Sequence, residues 1–140
     1  RPGIDALVSH ALTLCSLDSV ASRHPYDLPA PQRKLLTVAS AIASGAPFLA
    51  FDEPSAGLSQ IERVILETLL TELKRHRRGF VVVSHDLGLF LRYASKVLVL
   101  SKGGKVFFGE PESLLDREEY LRKARLKLPL SLRLEKMAAR

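Results

Sequence analysis

The sequence predicts an α/β fold built on a parallel sheet in three layers, and three observations carry that prediction. Two short apolar runs, Pro47 to Phe51 and Phe80 to Val83, are each bounded by polar or turn residues, the pattern of strands buried on both faces. Between them lies an amphipathic stretch, Gln60 to Arg77, whose apolar stripe is Ile61, Val64, Ile65, Leu66, Leu69, Leu70 and Leu73. Strand, helix, strand is the βαβ unit, in which parallel strands require a crossover of this size.

The remaining elements follow in order. Ile4, Leu7, Val8, Ala11, Leu12, Leu14 and Cys15 recur at helical spacing, so Ile4 to Leu17 is expected to be an amphipathic helix. Cys15 falls on its apolar face with no basic neighbour, which makes it a small core residue rather than a reactive thiol. Asp18 to Ala30, rich in Ser, Pro and Asp, is a surface loop. A second helix starts near Pro31, whose missing N–H is harmless in a first turn, and stops at Gly45. After the βαβ unit come a short helix from Leu87 to Tyr93 and a hairpin of Val97 to Leu100 and Val106 to Phe108 about Gly103-Gly104. Beyond Pro111 the chain is expected to be helical to about Leu128, to break at Pro129 and to resume to the end.

Composition narrows the class. With 46% hydrophobic and 26% charged residues the chain resembles an ordinary globular domain, and no stretch approaches the roughly 20 apolar residues that cross a bilayer. One cysteine cannot close an internal disulfide, which suits a reducing, cytoplasmic setting. The net charge of +6 is concentrated in Lys74-Arg75-His76-Arg77-Arg78 and in the segment from Arg117 to Arg140, runs that most often form solvated helix faces. A chain of 140 residues that begins with Arg1 is expected to be part of a longer polypeptide.

Chemistry is expected at the strand ends, where open parallel sheets bind ligands. Asp52, Glu53 and His85 all fall there. Two adjacent acids at the edge of a low-dielectric core lose hydration unless a cation meets them, and magnesium is the natural partner. The first acid can hold the metal while the second points elsewhere and orients an attacking water. Taken singly, an acid pair before Pro54 also reads as a loop start, and Ser84-His85-Asp86 as a helix cap. A protease-like triad from those three neighbours is excluded, because adjacent residues leaving a strand point in different directions.

Phe48-Leu49-Ala50-Phe51-Asp52-Glu53-Pro54 resembles the Walker B box of ATP-binding cassette (ABC) ATPases. Ser55-Ala56-Gly57-Leu58 resembles the D-loop that follows it, and Val83-Ser84-His85-Asp86 the switch histidine. Tyr26-Asp27-Leu28-Pro29-Ala30-Pro31-Gln32-Arg33 stands where the family carries its signature, Leu-Ser-Gly-Gly-Gln. The order and spacing agree from about Ile4 to Pro111, and the style of the box is most similar to the ATPases of energy-coupling-factor importers for vitamins and metal ions.

The resemblance implies a P-loop NTPase core without its N-terminal Walker A portion. Residues 1–45 would end the helical subdomain with a degenerate signature loop, 46–110 would run from Walker B to the switch histidine, and 111–140 would be a basic helical extension. It further implies ATP and Mg2+ as cofactors, Asp52 as the metal ligand, and Glu53 and His85 as catalytic residues. Leu28, Gln32, Ser55 and Gly57 would be nucleotide-binding positions. The implied partners are a transmembrane permease and a second ABC ATPase domain, as a dimer subunit or a tandem half, on the cytoplasmic face of the cell membrane, with no nucleic acid.

Three departures qualify that picture. Pro29, Ala30 and Pro31 replace the signature's Ser and both Gly, removing a hydroxyl and backbone donors for phosphate. Ser59 replaces the usual last Asp of the D-loop, and no Gly-x-x-x-x-Gly-Lys-Ser/Thr phosphate loop occurs in the sequence. Alone, the chain is therefore expected to be inactive. The rival readings are a soluble cassette ATPase acting on nucleic acid or ribosomes, and a regulatory half with one degenerate ATP site.

Overall fold

In the computed structural model, which describes residues 3–128 together with Leu130, Leu132 and Leu134, the predicted elements form in the predicted order, except that the first helix ends at Leu14 and the helix expected from Pro111 to about Leu128 is two short ones, Pro111–Asp116 and Glu118–Lys123. They fall into two units, Arg1–Val83 and Ser84–Arg140. In the first unit the helices are α1 (Ile4–Leu14), α2 (Ala30–Ala43) and α3 (Gln60–Arg75), and the strands are β1 (Phe48–Asp52) and β2 (Gly79–Val83). Two short 3-10 turns, Asp18–Val20 and Pro25–Asp27, shape the loop between α1 and α2.

The βαβ unit is as expected: β1 and β2 pair in parallel, with Phe48 opposite Gly79 and Asp52 opposite Val83. Burial on both strand faces is not observed. Leu49 and Phe51 are buried, whereas Phe48, Val81 and Val83 are 61%, 45% and 60% exposed. The physical reason is that a parallel pair needs a layer on each side, and among the described residues only one face of this pair is covered. The stripe on α3 divides in the same way. Leu66, Leu69, Leu70 and Leu73 are buried, while Ile61 and Val64 lie exposed.

Cys15 takes the core position expected of it, with no exposed surface, and burial pushes its thiol up to about 12. The charge run after α3 is not wholly solvated. Arg78 donates from Nε and Nη2 to the Ala46 carbonyl at 3.0 and 2.6 Å and from Nη1 to the Ile42 carbonyl at 3.0 Å. It thereby ties the last turn of α2 to the loop that leads into β1.

The second unit holds α4 (Leu87–Phe90), β3 (Val97–Ser101), β4 (Gly104–Gly109), α5 (Pro111–Asp116) and α6 (Glu118–Lys123). Asp86 caps α4 by accepting from the Leu89 N–H at 3.2 Å. The hairpin pairs Ser101 with Gly104, which makes Lys102 and Gly103, at φ 49° and 75°, the two central turn residues. Two positive φ values suit the right-handed twist of the flanking strands. Leu87, Leu91, Val99, Leu114, Leu121 and Leu132 form this unit's core. The predicted break at Pro129 and helix to the chain end lie outside the described residues, apart from Leu130, Leu132 and Leu134, which are helical.

Candidate functional site

β1 ends at Asp52, and the chain turns at the next residue. Glu53 adopts φ 43°, a left-handed conformation that non-glycine side chains rarely occupy. Three hydrogen bonds hold it there. Its N–H donates to the Val83 carbonyl at 2.8 Å, while its carbonyl accepts from the Ala56 N–H at 3.2 Å and from the Lys34 ammonium at 2.8 Å. Lys34 also donates to the Ala56 carbonyl at 2.7 Å.

A second tight turn follows, closed by the Leu58 N–H on the Ser55 carbonyl at 3.2 Å, with Gly57 at φ 77°. Gly is needed at that angle because a Cβ would crowd the backbone. Ser59 then opens α3 through a capping box: its N–H donates to Glu62 Oε2 at 2.7 Å, and its hydroxyl accepts from the Glu62 N–H at 3.5 Å.

The two acids end in different environments. Asp52 lies on the exposed face of β1 with Phe48 and Ala50, and Glu53 is half-buried. Asp52 is therefore hydrated, contrary to the expectation that it sits against a low-dielectric core, because that face of the sheet is uncovered. The left-handed backbone at Glu53 ends the alternation of the strand at that point. No cluster of three metal-ligating side chains occurs among the described residues. A single exposed carboxylate still suits magnesium, which usually takes one or two carboxylates and draws its other oxygens from phosphates and water.

Of the other predicted positions, Gly57 shapes the turn and Ser55 is 2% exposed. Leu28 is buried, and Gln32 is half-buried in the first turn of α2. That helix starts at Ala30 after Pro29, with no side-chain cap and with Pro31 among its first residues. His85 belongs to the second unit, two residues beyond β2, with an exposed side chain.

Sequence reasoning missed two cations. Arg33 Nη1 donates to the Leu28 carbonyl at 2.7 Å, and Lys34 makes the two contacts already described. A signal was present: two adjacent cations near the N-terminus of a helix whose first turn holds no acid oppose the helix dipole and need acceptors elsewhere.

No family model matches the chain. It is 30% identical over 131 residues to the energy-coupling factor transporter ATP-binding protein EcfA2 of Methanospirillum hungatei, covering 94% of this chain and 33% of that protein. It is 29% identical over 126 residues to EcfA of Methanococcus maripaludis, covering 90% of this chain and 45% of the relative. The chain thus spans less than half the length of these relatives. Among solved structures, an ABC transporter in an inward-facing conformation superposes with a TM-score of 0.73 at 28% identity, over 88% of this chain and 50% of that one. CbiO1 of Clostridium perfringens, part of the transporter complex cbiONQ, superposes with a TM-score of 0.69 at 24% identity, over 97% and 56%. The homologues of this chain are ABC transporter ATP-binding proteins, and its fold is about half of an ABC ATPase domain.

Proposed function

We propose that this chain supplies the hydrolytic half of an ABC ATPase that drives import through a membrane permease. The observation that carries the proposal is the turn at Glu53. Consecutive acids close a parallel strand, and the second is a left-handed residue that three hydrogen bonds hold. Asp52 then serves as a metal ligand, and Glu53 orients the attacking water and accepts its proton. Bound Mg2+ supplies charge neutralisation at the phosphates. His85 acts at the γ-phosphate, a donor role that neutral imidazole performs well.

The uncovered apolar face of β1 and β2 supports this reading, since a chain matching half of its structural neighbours leaves that face for the rest of the core to cover. Energy-coupling-factor relatives favour import over export. Among the described residues no helix is long and apolar enough to cross a membrane. The membrane partner in this reading is a permease, met at the cytoplasmic face. A second ATPase domain completes the assembly.

The test uses the polypeptide that carries this chain together with a phosphate-binding loop. Asp52→Asn is expected to raise the Mg2+ concentration for half-maximal ATP hydrolysis by about tenfold or more, the usual size for a lost hydrogen-bonded charge. An unchanged Mg2+ requirement would remove Asp52 from the site. Co-purification with a membrane protein supports transport, and co-purification with RNA overturns it.

A further inference from the structure

Lys34 stands one residue after Arg33 on α2, and the two cations reach in different directions. Arg33 holds the Leu28 carbonyl at 2.7 Å, at the base of the loop that opens the helix. Lys34 spans 19 and 22 residues of sequence to hold the carbonyls of Glu53 and Ala56 at 2.8 and 2.7 Å. Both are charge-assisted bonds, the stronger kind, and the ammonium has donors for both carbonyls at once. One turn of α2 therefore grips the loop on one side and the strained turn under Glu53 on the other.

From this arrangement we infer that Lys34 is a positioning residue, a strut through which the state of the loop that ends at Pro29 sets the stance of the Glu53 carboxylate. The inference rests on the reading of Glu53 as the water-orienting residue. A shift of that loop carries the first turns of α2 with it through the Arg33 bond to the Leu28 carbonyl, and the ammonium moves with the helix. The Glu53 carbonyl, whose left-handed backbone is unfavourable without its acceptors filled, follows. Loop and acid thus act as one unit, and hydrolysis answers to what the loop touches.

The experiment compares Lys34→Met and Lys34→Arg in the polypeptide that also carries a phosphate-binding loop, reading kcat, KM for ATP and Tm. Lys34→Met is expected to lower kcat roughly 10- to 100-fold, the scale of a misplaced catalytic group, with KM changed less than twofold and Tm held. Arginine, which keeps charge and donors, is expected to restore most of kcat. Should the methionine variant not fold, Lys34→Gln reads the same split. An unchanged kcat overturns the inference, as does a parallel loss of kcat, KM and Tm, which would make Lys34 a scaffold contact. Glu53→Gln is run beside them. Full activity there defeats the reading of Glu53, whereas an inactive Glu53→Gln with a fully active Lys34→Met defeats only the strut.

Discussion

Two segments of the first unit lead from a loop into a helix, and they are finished in opposite ways. Residues 52–59 run through a left-handed Glu53 and a glycine at positive φ into a helix with both halves of a capping box. Residues 24–33 run through Pro29 and Pro31 into a helix with no side-chain cap. The first is held in shape by bonds from β2 and α2 as well as its own and leaves a carboxylate at the edge of the sheet. The second has given up backbone donors, the groups with which a helix N-terminus cradles an anion. Shape at the acid end is maintained by bonds from β2 and α2, whereas the segment ahead of α2 offers no N–H at its two prolines.

The contrast can be broken from either side. The larger effect is expected at the finished end. Ser59→Ala removes the cap of α3 and should destabilise the unit by about 1 kcal/mol, as cap deletions do, read by urea denaturation. A cost near zero would mean that the box is incidental. At the open end, Pro29→Ser gains a cap but loses the stiffness of proline, worth about 0.4–1 kcal/mol, so stability should barely move. Its value is chemical. Together with Ala30→Gly and Pro31→Gly, it should raise ATP turnover of the complete polypeptide by roughly 2- to 10-fold, the worth of one net hydrogen bond. No rise would show that the prolines do not limit the site.

Much of this was legible in the residues. The helical period of α1 to α3 and the two apolar runs placed the βαβ unit within two residues of its observed limits, because periodicity is a local property of the chain. The exposure of Phe48, Val81 and Val83 was not legible. Whether a strand face is covered depends on what else packs there, and the strand's own composition is silent about that. The left-handed Glu53 was hidden for a related reason. It is stabilised by Val83 and Lys34, distant in sequence, rather than by any preference of its own. Arg78 reads as one more charge in a basic run, yet its guanidinium ties α2 to the following loop through carbonyls 32 and 36 residues away. Ser59 stands in the sequence as a departure from the D-loop pattern, although Ser-x-x-Glu ahead of an apolar stripe is also a capping signal, and the capping box forms.

The division of labour between the two segments rests most directly on Glu53. The decisive measurement is ATP binding and turnover by the polypeptide carrying this chain and a phosphate-binding loop, with and without Glu53→Gln. The neutral isostere keeps the turn and its hydrogen bonds but removes the charge that orients and deprotonates water. Binding is expected to stay within about twofold while turnover falls by roughly 100-fold or more, the contribution typical of a positioned general base. Turnover at the unsubstituted rate would contradict the account and place the hydrolytic group elsewhere.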